Sequence, residues 1–309
     1  LPVSDDAVAF DHGAPQTQKG IMAFGQTDAN EGANISTSHL ISSSGVVADD
    51  TTGVGTARRD VGAASYGGDK AIFGYGIISS VTGITNLVNN SGVVAADVSA
   101  VGTARRDVAA VGYGVDLAMF AYGDSGSKTN LKNLVTNQGV VGANVTGVGT
   151  ARGDLAASRY GVGLGIFGYG NTGSKVSMTN LVTNVGVIGT DVSGVGTARQ
   201  SLAACTFGGD KAIFGFGKDG SNETSITNLV SNVGVVAANT TGVGAAREKL
   251  GACSFGGDKG IFAFGVDNGG GGRVSTSNLV SNSGVVASDT TGVGSATNRL
   301  AAAGYSISA

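Results

Sequence analysis

An all-β fold, built as a six-bladed β-propeller of four-stranded antiparallel blades, is predicted by three features of this 309-residue chain. One unit recurs six times: Gly-Val-Gly-Thr-Ala-Arg, an Ala-rich run closed by an aromatic, Ile-Phe-Gly-Tyr-Gly, then Thr-Asn-Leu-Val-x-Asn-x-Gly-Val-Val. Its ruler is the arginine that ends each glycine-rich turn, since Arg58, Arg105, Arg152, Arg199 and Arg247 stand 47, 47, 47 and 48 residues apart. Each unit holds four short β-type runs divided by turn residues, and no stretch carries a helical period. Units of this kind cannot bury their apolar faces alone and must pack on one another.

The second unit shows the elements in order. Val61 to Tyr66 is the innermost strand, Gly67-Gly68-Asp69-Lys70 the turn, and Ala71 to Tyr75 the next strand. Asn86 to Asn89 is the third, Asn90-Ser91-Gly92 turns the chain, and Val93 to Ala96 is the outermost. Side chains alternate along a strand, so Phe73 and Tyr75 load one face while Gly74 and Gly76 leave the other bare for a neighbour's bulk. The first strands are rich in Ala, Gly and Ser, as crowding around an axis requires. A seventh first-strand copy exists. Leu300 to Tyr305, within residues 299–309, matches better than Ala7 to Phe10 and is expected to close the ring, leaving residues 1–12 as an arm of a single domain over 1–309.

These features resemble kelch-type repeats over residues 20 to 305. Gly74-Tyr75-Gly76 sits where that family shows a glycine pair ending the second strand, and Arg58 and its equivalents sit where it shows an arginine before the first. The tryptophan of the family's last strand has no counterpart, because the chain contains none. The near-verbatim repetition is also similar to propeller repeats in virion proteins of tailed phages.

Composition narrows function by exclusion. A net charge of −3 with 13% charged residues supplies no basic stripe for nucleic acid. The apolar runs are strand-sized, so no membrane insertion is expected. His12 and His39 lack partners that would make a catalytic or metal motif, and Ser125-Gly126-Ser127-Lys128 matches Ser-x-x-Lys without its companions. Cys205 and Cys253 occupy a slot filled elsewhere by Ala64, Val111, Ser158 and Ala303, which reads as two buried thiols. Asp50, Asp97, Asn144, Asp191, Asn239 and Asp289 end the outermost strand and read as local turn residues. Neither enzymatic activity nor a cofactor or metal is expected.

All seven Tyr and eleven Phe fall at three strand positions, so no loop aromatic is left to stack on a sugar. Arg58, Arg105, Arg152, Arg199 and Arg247 are the candidate binding residues: on one rim, beside the loops, they could form a ring for carboxylate or phosphate. The competing role, favoured by the regularity of the repeat, is to satisfy loop carbonyls between blades. What varies between units is the connection from second to third strand, on that same rim. The expected function is therefore structural and recognitional: a virion component, virion-borne or extracellular, binding other virion proteins or a host-surface receptor or glycan. A secreted carbohydrate-binding propeller is the alternative.

Overall fold

The computed structural model describes residues 16–27, 33–267, 269 and 272–309. Among these residues are six three-stranded antiparallel sheets, two short hairpins and no helix. The first sheet joins β1 (Lys19–Ala23) and β2 (Ser38–Ile41) to a strand from the far end of the chain. The next three are β3 (Gly62–Tyr66), β4 (Lys70–Gly74) and β5 (Thr85–Val88); β6 (Ala109–Tyr113), β7 (Leu117–Ala121) and β8 (Lys132–Val135); and β9 (Ala156–Tyr160), β10 (Leu164–Gly168) and β11 (Thr179–Val182). The fifth has β12 (Ala203–Phe207), β13 (Lys211–Gly215) and β16 (Thr227–Val230), with the hairpin β14 (Lys218–Asp219) and β15 (Asn222–Glu223) inserted. The sixth has β17 (Gly251–Phe255), β18 (Lys259–Ala263) and β21 (Ser277–Val280), with β19 (Val266–Asp267) and β20 (Gly272–Arg273) inserted. Last comes β22 (Ala301–Tyr305), which pairs with β1 from Lys19↔Tyr305 to Ala23↔Ala301 and so completes the first sheet. The rival segment, Ala7 to Phe10, and the arm over residues 1–12 lie outside the described residues.

The first strands touch in series, β22 to β3, then β6, β9, β12, β17 and back to β22. All six border one central cavity. At one end of it, five backbone bonds link the residues that enter these strands: Asp60 N–H to Arg299 O, Asp107 to Asp60, Ser201 to Asp154, Lys249 to Ser201 and Arg299 to Lys249, at 2.8–3.1 Å. The residues of this ring, Asp154 included, hold φ between +54° and +57°, the left-handed region that non-glycine residues rarely enter.

Neighbouring sheets interlock by volume. The Phe120 ring lies over bare Gly74, Phe214 over Gly168 and Phe262 over Gly215, so close that an added Cβ would come within 2.7–2.8 Å of the ring. A second layer compensates size for size. Gly20, Gly260 and Gly165 on middle strands face Cys253, Cys205 and Val111 on the preceding first strands. Where the first strand instead offers Ala303 or Ala64, the middle strand supplies Ala71 or Ala118 in the same apolar cluster. Both cysteines are free and buried, and burial pushes the Cys253 thiol up to about 12.

Two expectations need correction. The outermost run is not a continuous fourth strand. Val88 pairs with Val94 and Thr85 with Val98, so the two residues between them on one side oppose three on the other. The extra residue is a β-bulge that breaks the ladder into isolated bridges, and the buried Asn86 amide fills it, donating to Ala95 O at 3.0 Å and Asp97 Oδ1 at 2.9 Å. Second, Tyr75 does not continue its strand beside Phe73. The strand ends at Gly74, and Tyr75 turns left-handed with φ +64°, as do Phe24, Tyr122, Tyr169, Phe216 and Phe264. That turn aims the Tyr75 carbonyl at an arginine.

Candidate functional site

The five candidate arginines do not form an accessible ring. Arg58, Arg105, Arg152, Arg199 and Arg247 are each 0% exposed. Arg105 shows the bonding: Nε donates to Tyr122 O at 2.8 Å, Nη1 to Thr103 O at 3.0 Å and Nη2 to Asn133 Oδ1 at 2.8 Å. Its guanidinium also lies 4.2 Å from the ring centroid of Tyr75, in the preceding sheet. The others repeat this across their own seams, over Phe24, Tyr122, Tyr169 and Phe216. A desolvated cation over an aromatic face contributes about 2 kcal/mol. Burial lowers the pKa of all five, to about 10 for Arg58 and Arg247. They are ties between sheets, with their donors turned inward.

The acids that end the outermost run belong to the same construction. Asp97 accepts from Thr56 N and from Thr56 Oγ1, the latter at 2.6 Å, so its partner is the glycine-rich turn 41 residues upstream rather than its own turn. Asp191 holds Thr150 in the same way. These hydroxyl and amide donors keep both carboxyls below the usual carboxylate range, against a burial effect that would raise them.

One seam departs from the pattern. Thr297 stands where the sixth arginine would, and His39 stands where Asn86 and its equivalents do. The imidazole occupies the vacated space, 4.5 Å from the Phe264 ring and with Nδ1 3.3 Å from Asp50 Oδ1. Burial lowers its pKa despite the pull of Asp50. His39 is a packing residue of that seam.

Charge that differs from unit to unit stands beside the variable connections. The bonded ring carries Asp60, Asp107 and Asp154 on one arc, then Ser201, Lys249 and Arg299 on the other. Each variable connection is pinned beside it by an antiparallel bridge: Ile77 to Arg59, Asp124 to Arg106, Asn171 to Gly153, Lys218 to Gln200, Val266 to Glu248 and Gln26 to Asn298. Around the ring, Arg299 Nη1 meets Asp60 at 2.8 Å, Lys128 meets Asp124 at 3.1 Å and Lys249 meets Glu248 at 3.3 Å. Among the described residues the ion pair of Asp107 is with Arg106, at 3.6 Å. Burial, reinforced by the charges of Asp154 and Asp60, pushes its carboxyl up to about 8. Burial raises Asp60 too, against the pull of Arg299.

In the sequence these six residues stand two positions after Arg58, Arg105, Arg152, Arg199, Arg247 and Thr297. Their signal was disagreement in charge at one position of an otherwise near-verbatim repeat. Among the described residues no three His, Cys, Asp or Glu side chains are placed to hold a metal ion. Every described Phe and Tyr is buried, at most 3% exposed, so none offers an open face to a ligand ring. The chain matches no family model and no curated relative.

Proposed function

We propose that the six sheets are the blades of a closed, kelch-like propeller, and that the chain is a non-enzymatic recognition module which binds a protein surface through the mixed-charge rim around Asp60–Arg299. One observation carries this reading: strands, arginine ties and turns repeat almost verbatim, whereas loop length varies, and one position runs from Asp60 to Arg299 in charge, where the variable connections meet the ring. Packing constrains what repeats, and a surface free of packing is where recognition can be varied. Cyclic contact of the first strands and the β22–β1 pairing support closure, since a ring leaves no sheet edge at the joint.

The setting we favour is a tailed-phage virion, with the module in a tail, a fibre or a capsid decoration, facing another virion protein or a host receptor. Quantitative mass spectrometry of purified particles tests it: peptides of this chain at fixed stoichiometry are expected. Finding the chain free in cell lysate and missing from particles defeats the virion setting. A glycan array addresses the lectin alternative, against which the buried aromatics weigh; saturable binding to one glycan class would replace the protein partner by a sugar.

A further inference from the structure

At the other end of the first strands from the bonded ring, the turns into the middle strands are joined by backbone bonds of their own. Gly67 N–H donates to Asp116 O, Gly114 to Gly163 O, Gly161 to Asp210 O and Gly208 to Asp258 O, at 2.7–2.8 Å. The second, fifth and sixth units carry Gly-Gly-Asp-Lys at this turn, but the third has Gly-Val-Asp-Leu over 114–117 and the fourth Gly-Val-Gly-Leu over 161–164. In two adjacent turns, then, valine replaces a glycine and leucine replaces a lysine.

The change is matched on the sheets that follow. Each of these turns rests against the outer turn of the next sheet, since a Cβ on Gly114 would lie 3.0 Å from Asn184 O and one on Gly161 2.8 Å from Asn232 O. Next to those asparagines stand Val185 and Val233, where the other four units have Ser44, Ser91, Gln138 and Ser283. Val115, Val162, Val185 and Val233 are 50–71% exposed, in addition to the valine, such as Val93, that every unit exposes after its outer turn. Two basic side chains without counterparts in the other units fix the backbone beneath them: Arg159 Nη2 donates to Gly114 O at 2.6 Å and Lys132 Nζ to Gly186 O at 2.9 Å. A fixed apolar sector of this kind marks a docking surface, and the loss of both lysines removes charges that an apolar occupant would have to desolvate.

The chain itself leads to it. Upstream of Lys19, Gln18 O accepts from Gly256 N–H and Thr17 O from Gly257 N–H in the turn of the sixth sheet, and Gln16 Nε2 donates to Gly209 O in the turn of the fifth. Toward the N-terminus, contacts thus pass from the first sheet to the sixth and then the fifth. The fourth, with Val162, is next, because Asp210 of the fifth turn accepts from Gly161. Residues 1–15 lie outside the described residues and include Ala7-Val8-Ala9-Phe10. Phe10 stands six residues before Gln16, a reach of about 20 Å when extended, which exceeds the step between hydrogen-bonded turns. It is also the one aromatic residue outside the described residues, and all the others are buried.

We propose that the apolar sector formed by Val115, Val162, Val185 and Val233 is the docking surface for this chain's own N-terminal arm, with Ala7-Val8-Ala9-Phe10 laid across it and Phe10 as the anchor. The contact is separate from the bonded ring and from any partner bound there.

The chain contains no tryptophan, so Phe10→Trp places a single indole in the arm. Expected for the full chain is emission blue-shifted from that of the same protein in urea, with weak quenching by acrylamide and no change on dilution. Val162→Asp and Val233→Asp, both at exposed positions, should each return emission and quenching most of the way to the values in urea. Thermal melts establish that these variants are folded. Emission from the parent already as red as in urea overturns the proposal. So does blue emission that neither aspartate shifts, which places the arm on another surface, and blue emission lost on dilution, which makes the occupant a second copy.

Discussion

Arg105 and Gly20 show how single residues hold this molecule. An arginine whose three nitrogens each donate a bond in a dry seam cannot be replaced by another cation, because lysine offers a point charge where three directed bonds and a planar stacking surface are needed. Arg105→Lys is expected to cost about 3 kcal/mol in urea unfolding, the scale for a buried charged group that loses its partners. A loss below about 0.5 kcal/mol, the range of exposed surface changes, would show that the tie is not structural. At Gly20 the constraint is volume. An added Cβ would lie 2.5 Å from Cys253 Sγ, and Gly20→Ala should therefore destabilise by about 1–3 kcal/mol. The chain itself suggests the remedy, since Ala71 already sits opposite Ala303. Adding Cys253→Ala should recover most of the loss, a coupling that a double-mutant cycle measures. Additive effects would mean that the two positions do not meet.

Among the elements, the outermost run is the weakest and the most instructive. It lacks a continuous ladder and in five of the six sheets is held by one amide threaded through a bulge. In the third sheet Asn133 Nδ2 donates to Gly142 O at 2.9 Å and to Asn144 Oδ1 at 3.1 Å, while its Oδ1 accepts from Arg105. Asn133→Ala should cost about 2 kcal/mol and speed amide exchange at Gly142 and Val145, leaving β7 protected. Equal protection of Gly142 in both proteins would show that the bulge stands without the amide. In four sheets the left-handed residue ending the middle strand belongs to the same device, for it turns its carbonyl out of the ladder and onto the arginine. Backbone strain at Tyr75, Tyr122, Tyr169 and Phe216 is offset by the bond it makes possible.

Taken whole, the molecule depends on two features that join distant parts of the chain. The first is the joint between its ends. Deleting residues 300–309 removes β22, exposes the β1 edge and uncovers β3 on its other side, so loss of cooperative unfolding and aggregation are expected. A soluble truncated chain with an unchanged urea midpoint would sink the idea that this pairing closes the fold. The second is the charge on the bonded ring. Asp107 has a carboxyl at about 8 when folded against 3.8 as its ordinary value, so the native state binds the extra proton. Its favourable contribution is complete below the unfolded pKa and fades as pH rises through about 8. Asp97 and Asp191, held low, act in the opposite sense and lose their contribution in acid. Asp107→Asn should flatten the decline in stability between about pH 5 and pH 8 and leave the variant more stable than the parent at pH 9. Urea midpoints across that range decide it, and an unchanged slope would place the raised carboxyl elsewhere.

Period, strand order and turn positions were legible in the residues alone, because each rests on local rules: alternation within a strand, glycine at Gly67 and Gly68 where φ is positive, and a unit copied six times. The terminal copy that pairs with β1 could also be preferred by its wording. What local rules could not decide is which way an arginine points. The same residue type serves an exposed anion site or a buried tie, and only the neighbouring sheet, bringing Tyr75 under Arg105, selects between them. Likewise a cysteine opposite a glycine has no meaning along the chain, since Cys253 and Gly20 are 233 residues apart and meet only when the last sheet lies against the first. The bulge, the clamp from Asp97 to Thr56 and the bond from Arg159 to Gly114 share that origin. Each is a contact between distant segments, and such contacts are settled by packing in three dimensions.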